Sequence, residues 1–185
     1  MKKLILPAFG LFTCLLFSCK SKETTTATPQ NNDFIVSMNG IDSLKLGMSK
    51  DGLEKLLNTK LTLRHITVDG GYSDTFSTKY KGIDMVLYLK EGNEQSIAEL
   101  DGIRTNSPLC KTASGNGVGS DKINVIDSYP DNTKYVTPEY EVEPVRSTTK
   151  SVIAVIDTAG SRAMQFHIVN KKVVSVEVNS YYEFY

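Results

Sequence analysis

The chain lacks an excess of either charge. Its 185 residues include 21 Lys and Arg against 21 Asp and Glu, and they contain no long basic run. Proteins that bind nucleic acid usually carry a basic patch as their electrostatic footprint. We therefore expect no nucleic-acid partner.

The sequence also lacks the motifs of catalytic and cofactor sites. It has no Gly-x-Ser-x-Gly elbow and no His-Glu-x-x-His helix. The glycine-rich residues 115–119 are not followed by the Lys-Ser/Thr pair of a phosphate-binding loop, so we interpret them as a turn before a helix. His65, His167 and Cys110 are scattered singly, whereas zinc ligands usually occur in closely spaced pairs. We expect no catalytic residues, no metal and no cofactor.

Long hydrophobic runs are missing after the amino terminus. The run at the start covers residues 4–17 and follows Lys2 and Lys3. As a helix it would rise about 21 Å, which is short of a hydrocarbon core of about 30 Å. The run is therefore typical of a cleaved signal peptide and not of a membrane span.

The end of this run, Leu16-Phe17-Ser18-Cys19, resembles the lipobox of bacterial lipoproteins in its looser Bacteroidota form. The resemblance implies that residues 1–18 are a lipoprotein signal peptide and that the Cys19 thiol carries lipid. It also implies a diacylglycerol group with a further acyl chain, which meets the need for more than one chain in stable anchoring. An ordinary secretory signal that contains a cysteine is the alternative. Since Lys20 and not an acidic residue follows Cys19, we expect the outer membrane, on its periplasmic or its surface side.

Residues 19–33 have almost no apolar side chain and are rich in Thr and Asn. Such a segment cannot bury enough surface to offset its ordering entropy. We expect it to be a flexible tether between the lipid and a folded domain.

Cysteines are too few for an internal disulfide in the mature protein. If the chain is processed as the lipobox resemblance implies, Cys14 leaves with the signal peptide and Cys19 carries lipid, so Cys110 is the remaining thiol. We expect Cys110 to be a small buried residue. A reactive or intermolecular thiol is the alternative.

The rest of the chain contains one pattern twice, a glycine turn followed by a capped amphipathic helix. Gly47 precedes Ser49, which we predict to be the first helix cap. Gly119, which lies 72 positions after Gly47, precedes Ser120, the predicted second cap. The apolar faces of the two helices are expected to comprise Leu53, Leu56 and Leu57 in the first and Ile123, Ile126 and Tyr129 in the second.

Both predicted helices are followed by runs rich in β-branched and aromatic residues. The predicted strands cover residues 61–68, 83–89 and 96–103, then 135–145, 152–156, 163–169 and 173–184. In the last two strands one face carries Met164, Phe166, Ile168, Val174, Val176, Val178, Tyr182 and Phe184. The other face carries Gln165, His167, Ser175, Glu177, Asn179 and Tyr181. This alternation indicates a sheet with one face on a core and one toward solvent, with a turn at residues 170–172.

A further predicted strand carries acidic residues on every second position. Glu139, Glu141 and Glu143 alternate between Pro138 and Pro144. Charge and proline protect an exposed strand against pairing with another chain. We therefore predict a solvated edge strand here.

Several of these segments together resemble a known family. Leu46-Gly47-Met48-Ser49-Lys50, Gly117-Val118-Gly119-Ser120-Asp121 and residues 164–178 look like the tandem α+β lipoprotein domains related to the β-lactamase inhibitor protein. They also look like the small lipoprotein subunit of the outer-membrane barrel-assembly machine. The resemblance implies an α+β fold of two similar units, residues 34–108 and 109–185. Each unit would be a short helical segment packed on a curved antiparallel sheet, without catalytic residues.

These observations favour a membrane-anchored, non-enzymatic envelope protein that binds another protein. The partner is an unidentified envelope or secreted protein, and the expected contact residues are His167, Glu177, Asn179, Tyr181 and Tyr185. Tyrosine is enriched at interface hot spots, although a last strand that closes the core with aromatics is the alternative. An inhibitor or immunity protein against a toxin or hydrolase is a second possibility. A small-ligand receptor or enzyme with a pocket between the repeats is a third.

Overall fold

The computed structural model describes residues 34–63, 66–68, 71–91 and 98–180. The predicted signal peptide, the tether with Cys19, and the carboxy-terminal Tyr181 and Tyr185 lie outside these residues. The described part of the chain is an α+β structure with much more strand than helix. Neither of its helices is long and apolar enough to span a membrane.

The elements follow in this order along the chain. The helices are α1 (Lys50–Leu57) and α2 (Lys122–Asp127). The strands before α2 are β1 (Ile35–Ser37), β2 (Gly40–Ile41), β3 (Leu44–Lys45), β4 (Ile66–Val68), β5 (Gly71–Tyr80), β6 (Ile83–Glu91), β7 (Glu99–Thr105) and β8 (Lys111–Thr112). The strands after α2 are β9 (Lys134–Val142), β10 (Val145–Ile156), β11 (Arg162–Val169) and β12 (Lys172–Ser180).

Helix α1 begins where the sequence predicts. The Ser49 hydroxyl accepts a hydrogen bond from the Gly52 backbone N–H at 3.3 Å, which satisfies one of the free donors of the first turn. Asn58 ends the helix in the left-handed conformation. Leu53 is fully buried, but Leu56 is exposed, so the predicted apolar face is narrower than expected.

The predicted cap of α2 is wrong. Asp121 is the N-cap residue, and its side chain makes no capping hydrogen bond. The Ser120 hydroxyl instead accepts from the Gly117 backbone N–H, so it stabilises the turn before the helix. Val125 is the buried residue of this six-residue helix, while Ile123, which we expected on the apolar face, is exposed.

Eight strands form one continuous antiparallel sheet in the order β4-β5-β6-β7-β12-β11-β10-β9. Strands β4 to β7 form a meander after α1, and β9 to β12 form a second meander after α2. The two meanders join through their last strands, with Thr105 of β7 opposite Val176 of β12. A smaller sheet, β3-β2-β1-β8, contains a parallel pair between β1 and β8. The sequence did not indicate β5 or this smaller sheet.

The turns that precede the two helices are held in the same way. Gly47 N–H donates to Leu100 O, Leu100 N–H to Met48 O, and Lys50 N–H to Ala98 O, at 2.8 to 2.9 Å. In the second half, Gly119 N–H donates to Val173 O, Val173 N–H to Ser120 O, and Lys122 N–H to Lys171 O, at the same distances. Both glycines have positive φ, 79° and 90°, a conformation that other residues adopt at a cost. Each turn thus docks on the last strand of its own half.

Both helices pack on one face of the eight-stranded sheet, which we call the packed face. Leu53 of α1 and Val125 of α2 belong to the same hydrophobic cluster as Phe166 of β11. Phe166 is fully buried, as the alternation of β11 predicts. Cys110 is also fully buried in this cluster, which confirms the buried-thiol prediction, and burial raises the pKa of its thiol.

The alternation predicted for β12 is interrupted. His167 pairs with Ser175 and Ile168 with Val173, so Val174 is an extra residue in a β-bulge. Val173 is therefore buried and Val174 is 40 % exposed, which corrects the prediction that Val174 shares the core face with Val176. The predicted hairpin turn is observed at Asn170 and Lys171.

Candidate functional site

The face of the eight-stranded sheet opposite the helices carries the candidate site, and we call it the open face. Strand register places its side chains in rows that cross the sheet. One row runs Ala154, Gln165, Glu177, Arg104, Val86 and Ser77. A second row contains Val152, His167 and Ser175, and a third contains Ala163, Asn179, Gly102 and Tyr88. In the described part of the chain, neither helix covers these rows.

His167 lies between two carboxylates. Its Nδ1 is 3.3 Å from Glu139 Oε1, and its Nε2 is 3.8 Å from Glu177 Oε2. Glu139 is on β9, two strands away from β11, or about 10 Å at ordinary strand spacing. The two side chains therefore meet over β10. Both contacts become ion pairs when the imidazole is protonated.

Glu177 and Asn179 are held close to each other on β12. The Asn179 side-chain nitrogen donates to Glu177 Oε1 at 3.1 Å. Gly102 lies opposite Asn179 on β7, and a Cβ added to it would be 3.0 Å from the Tyr88 ring. Because Gly102 has no side chain, the Tyr88 ring can lie against the backbone beside Asn179.

Three polar atoms of the open face are buried without a hydrogen-bond partner. They are His167 Nε2, Ser175 Oγ and Asn179 Oδ1. A buried polar group without a partner forfeits the hydrogen bonds it would make with water, at about 1–3 kcal/mol each. Native proteins contain few such groups, and each of them calls for an explanation, such as a functional role or a bound water or ion. All three atoms lie on β11 and β12, so this part of the open face is the candidate binding surface.

A groove opens beside these groups because β7 is shorter than its neighbours. Strand β7 ends at Thr105, opposite Met85 of β6 and Val176 of β12. The first residues of β6 and β12 therefore have no strand between them. The resulting groove has a volume of about 670 Å³. Its lining includes Lys79, Asp84, Val86, Arg104, Asn106 and Ser175.

The structure brings three of the predicted contact residues together. His167, Glu177 and Asn179 lie on the same face of adjacent strands, as their spacing predicts. The side chains of His167 and Glu177 are only 17 % and 14 % exposed, so they are less open to solvent than we expected. Tyr181, Tyr185 and Cys19 lie outside the described residues.

Sequence reasoning missed Arg104 and Ser175 as site residues. Arg104 is the polar residue between Ile103 and Thr105 of β7, which are both buried. That alternation indicates which face Arg104 occupies, but only the pairing of β7 with β12 places it beside Glu177. The β-bulge at Val174 positions Ser175 at the groove.

The acidic strand β9 is the last strand of the sheet, which confirms the predicted edge strand. Its glutamates are not all solvated, because Glu139 contacts His167 and Glu141 Oε1 accepts from the Ser147 hydroxyl at 2.8 Å. The hairpin between β9 and β10 also exposes three large apolar side chains, Tyr140, Val142 and Val145.

The described residues contain no group of three His, Cys, Asp or Glu side chains placed to hold a metal ion. The site therefore consists of hydrogen-bonding and charged groups on a sheet face, beside a groove. Comparisons of the chain with protein-family models, with curated proteins and with solved structures found no match.

Proposed function

We propose that this chain is a membrane-anchored, non-enzymatic envelope protein that binds another protein through its open face. The observation that carries the proposal is the set of unpartnered buried atoms on His167, Ser175 and Asn179. A partner that donates and accepts hydrogen bonds there would recover the stability that these groups cost the free protein. The partner is an envelope or secreted protein.

The proposed anchor is lipid on Cys19, followed by the tether of residues 19–33, on the outer membrane. Its support is the sequence Leu16-Phe17-Ser18-Cys19 and the polar composition of the residues after it. Growth with a radiolabelled fatty acid tests this directly. Label in the wild-type protein and its loss in Cys19→Ala would support the anchor, whereas equal label in both would contradict it.

We further propose that residues 34–108 and 109–185 are two copies of one α+β unit. Their support is the shared order of turn, helix and four-stranded meander. The matching hydrogen bonds of Gly47 and Gly119 to the last strand of each half also support it. Tandem units of this kind agree with the resemblance to the β-lactamase inhibitor protein and the small barrel-assembly lipoprotein.

Capture of the partner from intact cells tests the binding function. Cells expressing wild-type protein or Glu177→Lys are crosslinked, and the attached proteins are identified by mass spectrometry. Glu143→Lys is the matched control, since it makes the same charge change on an exposed residue of the β9–β10 hairpin. We expect a partner that is lost only with Glu177→Lys. Absence of any specific partner with wild-type protein would contradict the proposal.

Tyr181 and Tyr185 are tested in the same experiment by changing both to Ala. Loss of the captured partner would extend the binding surface beyond the described residues. Unchanged capture would remove both tyrosines from the proposed surface.

An inhibitor or immunity protein is a narrower form of the same proposal. A deletion strain distinguishes it from a structural role in the envelope. Selective sensitivity to one toxin or hydrolase would support an inhibitor, and general leakiness of the envelope would support a structural role.

The groove favours a second candidate function, a receptor for a small ligand. It lies where the two halves join, because β5, β6 and β7 line one side and β12 the other. Its volume of about 670 Å³ is in the range of ligand pockets. Retention of a small molecule by the purified protein, detected by mass spectrometry after denaturation, would favour this candidate or an enzyme.

A further inference from the structure

We propose that the groove beside β7 binds the carboxylate of an acidic side chain presented by the partner protein. This inference rests on the proposed binding function and names the chemistry of one contact. Arg104 would bind the carboxylate and Ser175 would add a hydrogen bond. Both residues line the groove.

Among the described residues that line the groove, Arg104 is the charged residue that makes no salt bridge. In the described part of the chain its guanidinium makes no salt bridge, although Glu177 lies directly opposite on β12. The Glu177 carboxylate is instead held by Asn179 and lies close to His167. A half-buried guanidinium binds carboxylates through two parallel hydrogen bonds, which an amine cannot do.

The other charges of the groove neutralise each other. Lys79 Nζ is 2.7 Å from Asp84 Oδ1, and these residues pair across β5 and β6. Both side chains are more than half exposed, so they lie at the rim and their interaction is screened by solvent. Among the residues that line the groove, the charge that remains unpaired is therefore that of Arg104, which favours an anionic occupant.

The hydroxyl of Ser175 is a buried hydrogen-bonding group at the groove. The residue is 4 % exposed, and its hydroxyl has no hydrogen-bond partner. A serine hydroxyl can turn between staggered rotamers. The neighbouring bulge residue, Val174, is exposed. A carboxylate seated on Arg104 would accept a hydrogen bond from Ser175 after such a turn. The bulge at Val174 thus has a role in placing this donor at the groove.

Two probes of nearly the same shape, one with a carboxylate and one with a neutral amide, test the carboxylate contact. N-acetyl-glutamate amide carries one carboxylate, and N-acetyl-glutamine amide is its neutral counterpart. Each is titrated into the full chain in detergent micelles while the Arg104 Nε–H and Val86 amide resonances are followed by NMR. We expect saturable shifts with the glutamate probe only. Equal shifts with both probes, or a response to inorganic phosphate alone, would overturn the proposal.

Three variants assign the contact to its residues. Arg104→Gln should weaken binding of the glutamate probe by at least about tenfold, because a charge-assisted pair is lost. Arg146→Gln is the matched control outside the groove and should leave it unchanged. Ser175→Ala should weaken binding without lowering the melting temperature, a combination that a purely structural hydroxyl would not produce. Unchanged binding by Arg104→Gln would overturn the inference.

Capture from cells separates this inference from the proposed function. If wild-type protein and Arg104→Gln capture the same partner equally, the inference fails while the binding function stands. If wild-type protein captures no partner although the glutamate probe binds, the assignment of the carboxylate to a partner protein fails together with the proposed function. Loss of the partner with Arg104→Gln, but not with Arg146→Gln, supports both.

Discussion

The buried carboxylate of Glu54, on the packed side of the eight-stranded sheet, differs in its hydrogen bonding from the buried polar groups of the open face. On the helix side, the carboxylate of Glu54 is buried and accepts hydrogen bonds from Lys50 Nζ, Lys60 Nζ and Leu61 N–H at 2.7 to 2.9 Å. On the open face, Ser175 and Asn179 keep buried atoms without partners. The hydrogen bonds of Glu54 therefore contribute to the stability of the packed side. The open face gives up stability that a bound partner could restore.

The largest difference in stability should be found between substitutions at two adjacent residues of β11 whose side chains point to opposite faces of the sheet. Phe166→Ala should lower the free energy of unfolding by about 3–5 kcal/mol, because it leaves a cavity at a fully buried site in the core. Gln165→Ala, one position earlier on the open face, should change it by less than about 0.5 kcal/mol. Urea unfolding followed by circular dichroism measures both. Similar losses for the two variants would contradict the assignment of the faces.

The next largest effect is the contribution of Glu54 to folding stability, which depends on pH. Hydrogen bonds from Lys50, the Leu61 N–H and Lys60 lower the pKa of Glu54 from 4.5 to about 2. A carboxyl whose pKa is lower in the folded protein stabilises the fold when it is ionised. This stabilisation is complete above about pH 5 and is lost as the pH falls from 4.5 toward 2.

Melting temperatures of wild-type protein and Glu54→Gln between pH 7 and pH 2 test this. We expect Glu54→Gln to melt several degrees lower at pH 7, and the difference to shrink as the pH approaches 2. Glu143→Gln, on an exposed residue, should follow the wild-type curve. A pH-independent difference would show that the Glu54 charge contributes nothing.

Local pattern predicted part of this fold and part of the site. The Ser49 cap, strand β11 and the acidic edge strand follow from short-range spacing, which one stretch of sequence contains in full. The bulge at Val174 does not, because it depends on how β12 pairs with β11. Arg104 likewise lies opposite Glu177 only because β7 pairs with β12, and these strands are separated by more than sixty residues. The prediction that Ser120 caps α2 is wrong because a serine before a helix can also stabilise the preceding turn.

The smallest difference in stability should be found when two buried hydroxyls on opposite faces of the sheet, those of Thr105 and Ser175, are removed. Thr105 is 2 % exposed on the packed face; its hydroxyl donates to Asp84 O at 3.0 Å and accepts from Ser107 N–H at 3.1 Å. Thr105→Val keeps the shape but leaves both backbone groups without this partner, which should cost about 1–3 kcal/mol. Ser175→Ala removes a buried hydroxyl that has no partner, so it relieves a desolvation cost and should leave the free energy of unfolding unchanged or raise it by up to about 1 kcal/mol. A loss for Ser175→Ala as large as that for Thr105→Val would mean that the Ser175 hydroxyl is already satisfied in the free protein, and the contrast between the two faces would not hold.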